Sequence, residues 1–433
     1  MDFQQYHQLL KRDLFTYKGK VDKVIGMTIE STGPMANVGD VCKIYQGNSG
    51  SYVLSEVVGF KDERVLLMPY DDVYGIGPGC TVESTGDKLK IKVGEGLVGR
   101  IVDGLANPID GKGDIGNFEY YSINNSPSNP LARPKIDTKM TMGVKAIDGL
   151  LTVGKGQRMG IFAGSGVGKS TLMGMIARNV YADINIIALV GERGREVMEF
   201  IDKDLGPEGM RRSILVVATS DQTAMMRSKC ALVATALAEY FRDMGKNVLL
   251  MMDSLTRFAM AQREIGLAVG EPPVSRGYTP SIYSALPKLL ERSGNFEKGS
   301  ITGLYTVLVE GDDMNEPIAD TVRGIIDGHI VLSRTVAMRN HYPAIDVLAS
   351  ISRLMQIIVS DEQNALASKM RNIMSIYYSN YDLITIGAYK LGTNPVLDDA
   401  IKKIDKINSF LMQGINDKFD YESTLKLMKQ ALE

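Results

Sequence analysis

Arg158-Met-Gly-Ile-Phe-Ala-Gly-Ser-Gly-Val-Gly-Lys-Ser-Thr171 reads as a strand, a glycine-rich loop and the opening of a helix. Met159 to Ala163 suit a buried strand, and the residues after Ser170 continue as an apolar helix. The backbone N–H groups of Gly164, Ser165, Gly166, Val167 and Gly168 can then converge on a polyphosphate. Lys169 adds a point charge, Ser170 offers a hydroxyl ligand to Mg²⁺, and Thr171 closes the run of nucleotide-contacting positions. The helix dipole adds partial positive charge at the same spot. The usual pattern has glycine six residues before the lysine, where this chain has Ala163. A glycine-rich turn before an ordinary helix is the plain alternative, but the order strand, loop, Lys-Ser, apolar helix favours a nucleoside triphosphate. Without nucleotide, Lys169 is expected to pack against nothing.

The chain has 433 residues, too many for one compact core, so two or three domains are expected. A formal net charge of −2 and 44% hydrophobic residues describe an ordinary globular protein, with no overall charge to drive nucleic-acid binding. Cys42, Cys80 and Cys230 have no metal-ligand spacing, which suggests reduced thiols in a cytosolic protein. His7, His329 and His341 are too few for a histidine-rich metal site. No apolar run approaches the roughly 20 residues needed to cross a bilayer, and no signal-peptide pattern opens the sequence.

Phe3, Tyr6, Leu10, Leu14 and Tyr17 follow a helical spacing, which predicts an N-terminal amphipathic helix over residues 1–19. Residues 20–95 carry short β-rich runs such as Val38 to Tyr45 and Arg64 to Pro69, broken by glycine, and suggest a small barrel. A linker rich in Asn, Ser and Pro, Asn124 to Pro130, leads into a region of alternating apolar strands and helices. Strands are expected at Ile184–Val190, Ile214–Thr219, Val248–Asp253, Ser300–Glu310 and His329–Ser333. Near-continuous Val/Ile/Leu strands imply a mostly parallel sheet with helices on both faces and ligands at the carboxyl ends of the strands. After about Pro343 the strand signals stop, so residues 96–345 are read as the catalytic domain and 346–433 as a helical domain.

Two strand ends carry further chemistry. Val248-Leu-Leu-Met-Met-Asp253 places a carboxylate where a nucleotide-bound Mg²⁺ is held, with Asp253 acting through water. Gly191-Glu-Arg-Gly-Arg-Glu196 puts Glu192 and Arg193 at the end of the strand that follows the phosphate-loop helix. Glu192 is suited to orient and partly deprotonate an attacking water. Arg195 and Glu196 are read as salt-bridge or interface residues.

The phosphate loop, the Gly-Glu-Arg-Gly-Arg-Glu segment and Pro343-Ala-Ile-Asp-Val-Leu-Ala-Ser-Ile-Ser352 together resemble the α/β-subunit family of rotary ATPases. Glu310-Gly-Asp-Asp-Met-Asn-Glu-Pro317 and Arg276-Gly-Tyr-Thr-Pro-Ser281 are similar to the type III secretion branch, above all its flagellar export ATPases. That branch commonly carries the Ala163 variant of the loop. The resemblance covers nearly the whole chain, including Gly99 to Asp110, and implies a RecA-like core, Mg²⁺ with ATP, and a homo-hexameric ring.

Residue by residue, the resemblance implies Lys169 on the phosphates, Ser170 and Asp253 at Mg²⁺, Glu192 positioning water, and Arg193 close to the γ-phosphate. Tyr342 matches an aromatic that stacks on adenine, and Arg353 an arginine finger reaching into the neighbouring subunit. Tyr278 to Pro287 would form a loop lining a central channel. The resemblance also implies a stator-like regulatory protein on the N-terminal helix, stalk and export-gate proteins, and export substrates with their chaperones. The expected location is the cytoplasm, peripheral at the inner face of the membrane, with no specific nucleic acid. Competing expectations are a rotary F/V/A-type catalytic subunit, a virulence secretion ATPase, a non-catalytic nucleotide-binding subunit that would lack Glu192, and an RNA helicase. The helicase would need exposed aromatics among basic residues in the barrel, where no such cluster is evident.

Overall fold

The computed structural model describes residues 16–47, 50–309, 311 and 313–433. The expected helix over residues 1–19 lies outside them as far as residue 15, and its last two residues, Lys18 and Gly19, open the first barrel strand instead.

Six antiparallel strands close the N-terminal barrel: β1 (Lys18–Ile25), β2 (Thr28–Thr32), β3 (Asp40–Tyr45), β4 (Tyr52–Lys61), β5 (Arg64–Pro69) and β6 (Thr81–Lys88), in the order β1-β2-β5-β4-β3-β6. Ile29, Cys42, Ile44, Val57, Leu67 and Val82 fill its interior. The barrel sits on the next domain through Glu56 of β4, which takes the Lys229 ammonium at 2.7 Å and the Tyr70 hydroxyl at 2.7 Å.

The central sheet comprises β7 (Ile101–Asp103), β8 (Arg158–Ala163), β9 (Ile184–Glu192), β10 (Ser213–Thr219), β11 (Asn247–Asp253), β12 (Ser300–Leu308), β13 (Gly328–Leu332) and β14 (Ile345–Ser352). Its order is β14-β13-β8-β12-β11-β9-β10-β7, every pairing along it parallel except β13 with β14, and off this path a two-residue strand, Gly294–Asn295, pairs antiparallel with β12. The main helices, beside several single turns, are α1 (Lys145–Leu150), α2 (Lys169–Asn179), α3 (Gly194–Glu199), α4 (Ala224–Asp243), α5 (Leu255–Ala268), α6 (Pro280–Leu290), α7 (Pro317–Ile325), α8 (Asp361–Ser379), α9 (Pro395–Leu411) and α10 (Tyr421–Leu432).

Because strand side chains alternate, β9 serves two cores. Ile186, Ala188 and Val190 join one with residues of α4 to α7, whereas Ile187 and Leu189 join another with α1, α2 and the C-terminal helices. This burial on both faces accounts for the near-continuous apolar runs in the sequence.

Two readings are corrected. The strand signals do not stop at Pro343: β14 follows directly and forms the antiparallel edge of the sheet. Its alternation is blurred because Ser350 replaces regular ladder bonds, its hydroxyl accepting from the Val331 N–H and donating to the Asp346 carbonyl. The stretch Tyr278 to Pro287 is not a loop, since α6 begins at Pro280. Proline is favoured at a first helical position because its missing N–H has no partner there anyway.

Candidate active site

Four neighbouring strands, β8, β12, β11 and β9, end side by side at the carboxyl edge of the sheet and deliver the site. β8 stops at Ala163 and α2 starts at Lys169, leaving Gly164 to Gly168 as the loop between them. Gly168 caps the helix with φ 91° and Gly166 has φ 78°, backbone conformations that glycine adopts without strain. Gly164, Ser165, Gly166, Gly168, Lys169, Ser170 and Thr171 line a cavity of about 880 Å³. Val167 instead turns its side chain into the core.

Lys169 is not free. Its Nζ lies 2.5 Å from Asp253 Oδ1 and 3.7 Å from Glu192 Oε1, so the expectation that it packs against nothing does not hold. A buried pair of carboxylates needs a cation, and the lysine is the nearest one. Burial opposes the Lys169 charge, but Asp253 and Glu192 outweigh it and its pKa is raised. Asp253 Oδ1 also accepts the Thr306 hydroxyl from β12 at 2.7 Å.

Glu192 closes β9, and burial together with the nearby Asp253 pushes its carboxyl up to about 7, with a hydrogen bond from Glu196 adding to the rise. Both residues form the salt bridges expected of them, Glu196 with Arg193 at 3.5 Å and Arg195 with Glu199 at 3.0 Å, and Glu196 faces the site as well. Arg193 lines the cavity with its side chain largely exposed.

The cavity holds more positive charge than the sequence reading found. Arg257, Arg263, Arg276 and Arg334 also line it. Arg257 sits in the first turn of α5, directly after the Asp253 strand, and its buried Nε has no hydrogen-bond partner among the described residues. The signal was in the sequence: the helix that follows the acidic strand end starts at the cavity, so a basic residue in its first turn lines it. An unsatisfied buried guanidinium N–H beside a lysine and further arginines fits an anionic ligand. Ser170 and Asp253 both line the cavity, a donor set of one hydroxyl and one carboxylate that fits Mg²⁺ completed by phosphate oxygens and water.

Tyr342 and Arg353 lie apart from this cluster. Tyr342 is half exposed, and a Cβ placed on Gly168 would lie 3.8 Å from its ring, so it borders the loop. Arg353 follows β14, and its N–H donates to the Asp327 carbonyl at the opposite edge of the sheet.

A profile of the ATP synthase alpha/beta family, nucleotide-binding domain, matches residues 143–352, and the beta-barrel domain of that family matches 21–86. Residues 359–430 match the T3SS EscN ATPase C-terminal domain. A protein named "Flagellum-specific ATP synthase" from Bacillus subtilis (strain 168) is 58% identical over 406 residues, 94% of this chain and 93% of that protein. The chain belongs to the family of flagellar and type III secretion ATPases. A second family member, "Type 3 secretion system ATPase" from Xanthomonas euvesicatoria, is 48% identical over 98% of this chain and 97% of that protein. The family fold extends to the assembled ATPase EscN from the enteropathogenic E. coli type III secretion system, with TM-score 0.91 and 46% identity over 96% of this chain and 100% of EscN. EscN in complex with its central stalk EscO matches with TM-score 0.89 and 45% identity, over 96% of this chain and 100% of that one.

Proposed function

We infer that this chain is a Mg²⁺-dependent ATP hydrolase that energises protein export through a flagellar-type, type III secretion apparatus. The observation that carries the reading is the convergence of Lys169, Asp253 and Glu192 beneath the glycine loop, in a cavity ringed by arginines. The loop N–H groups and Lys169 bind the phosphates, so Lys169 must leave Asp253 for the polyphosphate. Thr306 keeps Asp253 oriented during that exchange. Ser170 and Asp253, the latter through water, would hold Mg²⁺, which when bound would neutralise charge on the phosphate oxygens. Tyr342 provides a flat face for adenine.

Arg353 completes a neighbouring site, which makes a ring, by analogy a homo-hexamer, the active unit. The complex of EscN with its central stalk supports a stalk partner for this chain too. We assign the residues ahead of β1 to a stator-like regulator, and export-gate proteins, chaperones and substrates to the ring. Among the described residues no helix is long and apolar enough to cross a membrane, which is compatible with a cytoplasmic enzyme resting peripherally on the membrane. The domain boundaries proposed are 18–95, 96–352 and 353–433, the first start and second limit moved to include β1 and β14.

The test uses the purified full chain with Mg·ATP. Phosphate release by the chain alone, lost in Glu192→Gln, and arrest of flagellar protein export when that variant replaces the native chain support the reading. Activity that appears only with a different partner subunit would instead indicate a rotary ATP synthase subunit.

A further inference from the structure

Gln413, in the turn after α9, joins pieces of chain that are distant in sequence. Its backbone N–H donates to the Tyr342 carbonyl at 3.0 Å. Its buried side-chain amide accepts from the Lys145 N–H at 2.9 Å and donates to the carbonyls of Gly143 at 2.9 Å and Asp417 at 3.1 Å. One acceptor and two donors are used, a set that a carboxamide can supply and a carboxylate or a methyl cannot.

The same turn is tied to the phosphate helix. Arg178, near the end of α2, donates to the Ile415 carbonyl at 2.7 Å, and Asn179 donates to the Asp417 carbonyl at 3.3 Å. Residues 413–417 thus hold both the backbone of Tyr342 and the far end of the helix that begins at Lys169. The Tyr342 ring borders Gly168 and has a half-exposed face, so what fixes its backbone also fixes that face relative to the loop.

We propose that Gln413 is a positioning residue for the base of the bound nucleotide: it sets Tyr342 beside the phosphate loop and ties that setting to the docking of the C-terminal helices. The inference rests on the reading of Tyr342 as the adenine platform. Binding of the base and seating of the 413–417 turn are then one event, whereas a ligand with phosphates and no base leaves the turn as it is.

The experiment compares ATP with inorganic tripolyphosphate on the purified full chain. Gln413→Ala and the isosteric Gln413→Glu should raise KM for ATP about tenfold, with kcat within about twofold and inhibition by tripolyphosphate unchanged. In the unaltered chain, hydrogen exchange at residues 413–417 should slow with ATP and not with tripolyphosphate. That measurement stands even if a variant does not fold. A purely packing role predicts that KM and tripolyphosphate inhibition shift together, or that both ligands slow exchange equally; either result overturns the proposal. Tyr342→Ala separates the two layers. An unchanged KM for ATP in that variant removes the platform and the proposal with it, whereas a raised KM there with none in the Gln413 variants removes the positioning role alone.

Discussion

Lys169 pairs with Asp253 as well as lining the cavity, so its removal has two consequences. Lys169→Ala should abolish ATP binding, and it should also leave two buried carboxylates without their cation, a loss of about 3 kcal/mol. Nucleotide titration and urea unfolding read these separately, and full stability in the variant would contradict the ion pair at 2.5 Å. Glu192 carries the pH dependence. Its carboxyl is raised to about 7 by burial and by Asp253, and only the deprotonated form can take a proton from water. The rate should therefore rise with pH through about 7, and Glu192→Gln should bind Mg·ATP while hydrolysing it about 10²- to 10⁴-fold more slowly. A wild-type rate that is flat across that range would place the base elsewhere. The same shift means that the folded chain holds this proton more tightly than the unfolded one. Its contribution to stability accordingly falls as pH rises from the ordinary value of 4.5 to about 7.

At the scale of elements, the phosphate helix is placed by close packing as much as by its loop. A Cβ on Gly174 would lie 2.4 Å from the Asp204 carbonyl, so α2 sits directly on the backbone of the Phe200–Leu205 segment. Gly174→Ala should push the two apart and cost about 1–3 kcal/mol despite alanine's better helix propensity. Denaturant midpoints check this, and a stabilised variant would mean that the segment gives way freely. These elements also show what the sequence can reveal. Strands buried on both faces, such as β9 and β11, announce themselves as apolar runs, and the loop announces itself through glycines that only one backbone path explains. β14 did not, because an edge strand with Asp346, Ser350 and Ser352 in it lacks both the continuous and the alternating pattern. α6 was hidden by Pro287 within it, although Pro280 marked its start. Arg257 was passed over although its place in the first turn after the Asp253 strand marked it, and Glu196 was read only as a salt-bridge or interface residue because facing a cavity is a property of packing that the spacing of charges does not encode.

At the scale of the whole molecule, the position of Arg353 decides how many chains a working site needs. β14 runs antiparallel to β13, so its end returns to the amino edge of the sheet, where Arg353 bonds to Asp327 beside Arg158 at the start of β8. The loop lies past Ala163 at the other end of that strand, roughly 16 Å away along the strand axis. An exposed arginine so placed cannot reach its own chain's phosphates, and a single side-chain hydrogen bond to the Arg323 carbonyl at 3.3 Å, among the described residues, leaves it able to extend outward. If it serves a neighbour, specific activity should rise with protein concentration as rings form, and Arg353→Ala should flatten that rise by about 10³-fold at saturation without changing ATP affinity. Mixing Lys169→Ala chains with Arg353→Ala chains gives the sharper test. Each variant is inactive alone. An interface formed by the intact nucleotide side of the Arg353→Ala chain and the intact arginine of the Lys169→Ala chain contains every required group, so the mixture should regain part of the wild-type rate. Recovery must grow with the fraction of mixed rings and vanish on dilution to monomers. Mixtures that stay inactive while co-assembly is verified would assign Arg353 to its own chain's structure and leave the ring without a shared site.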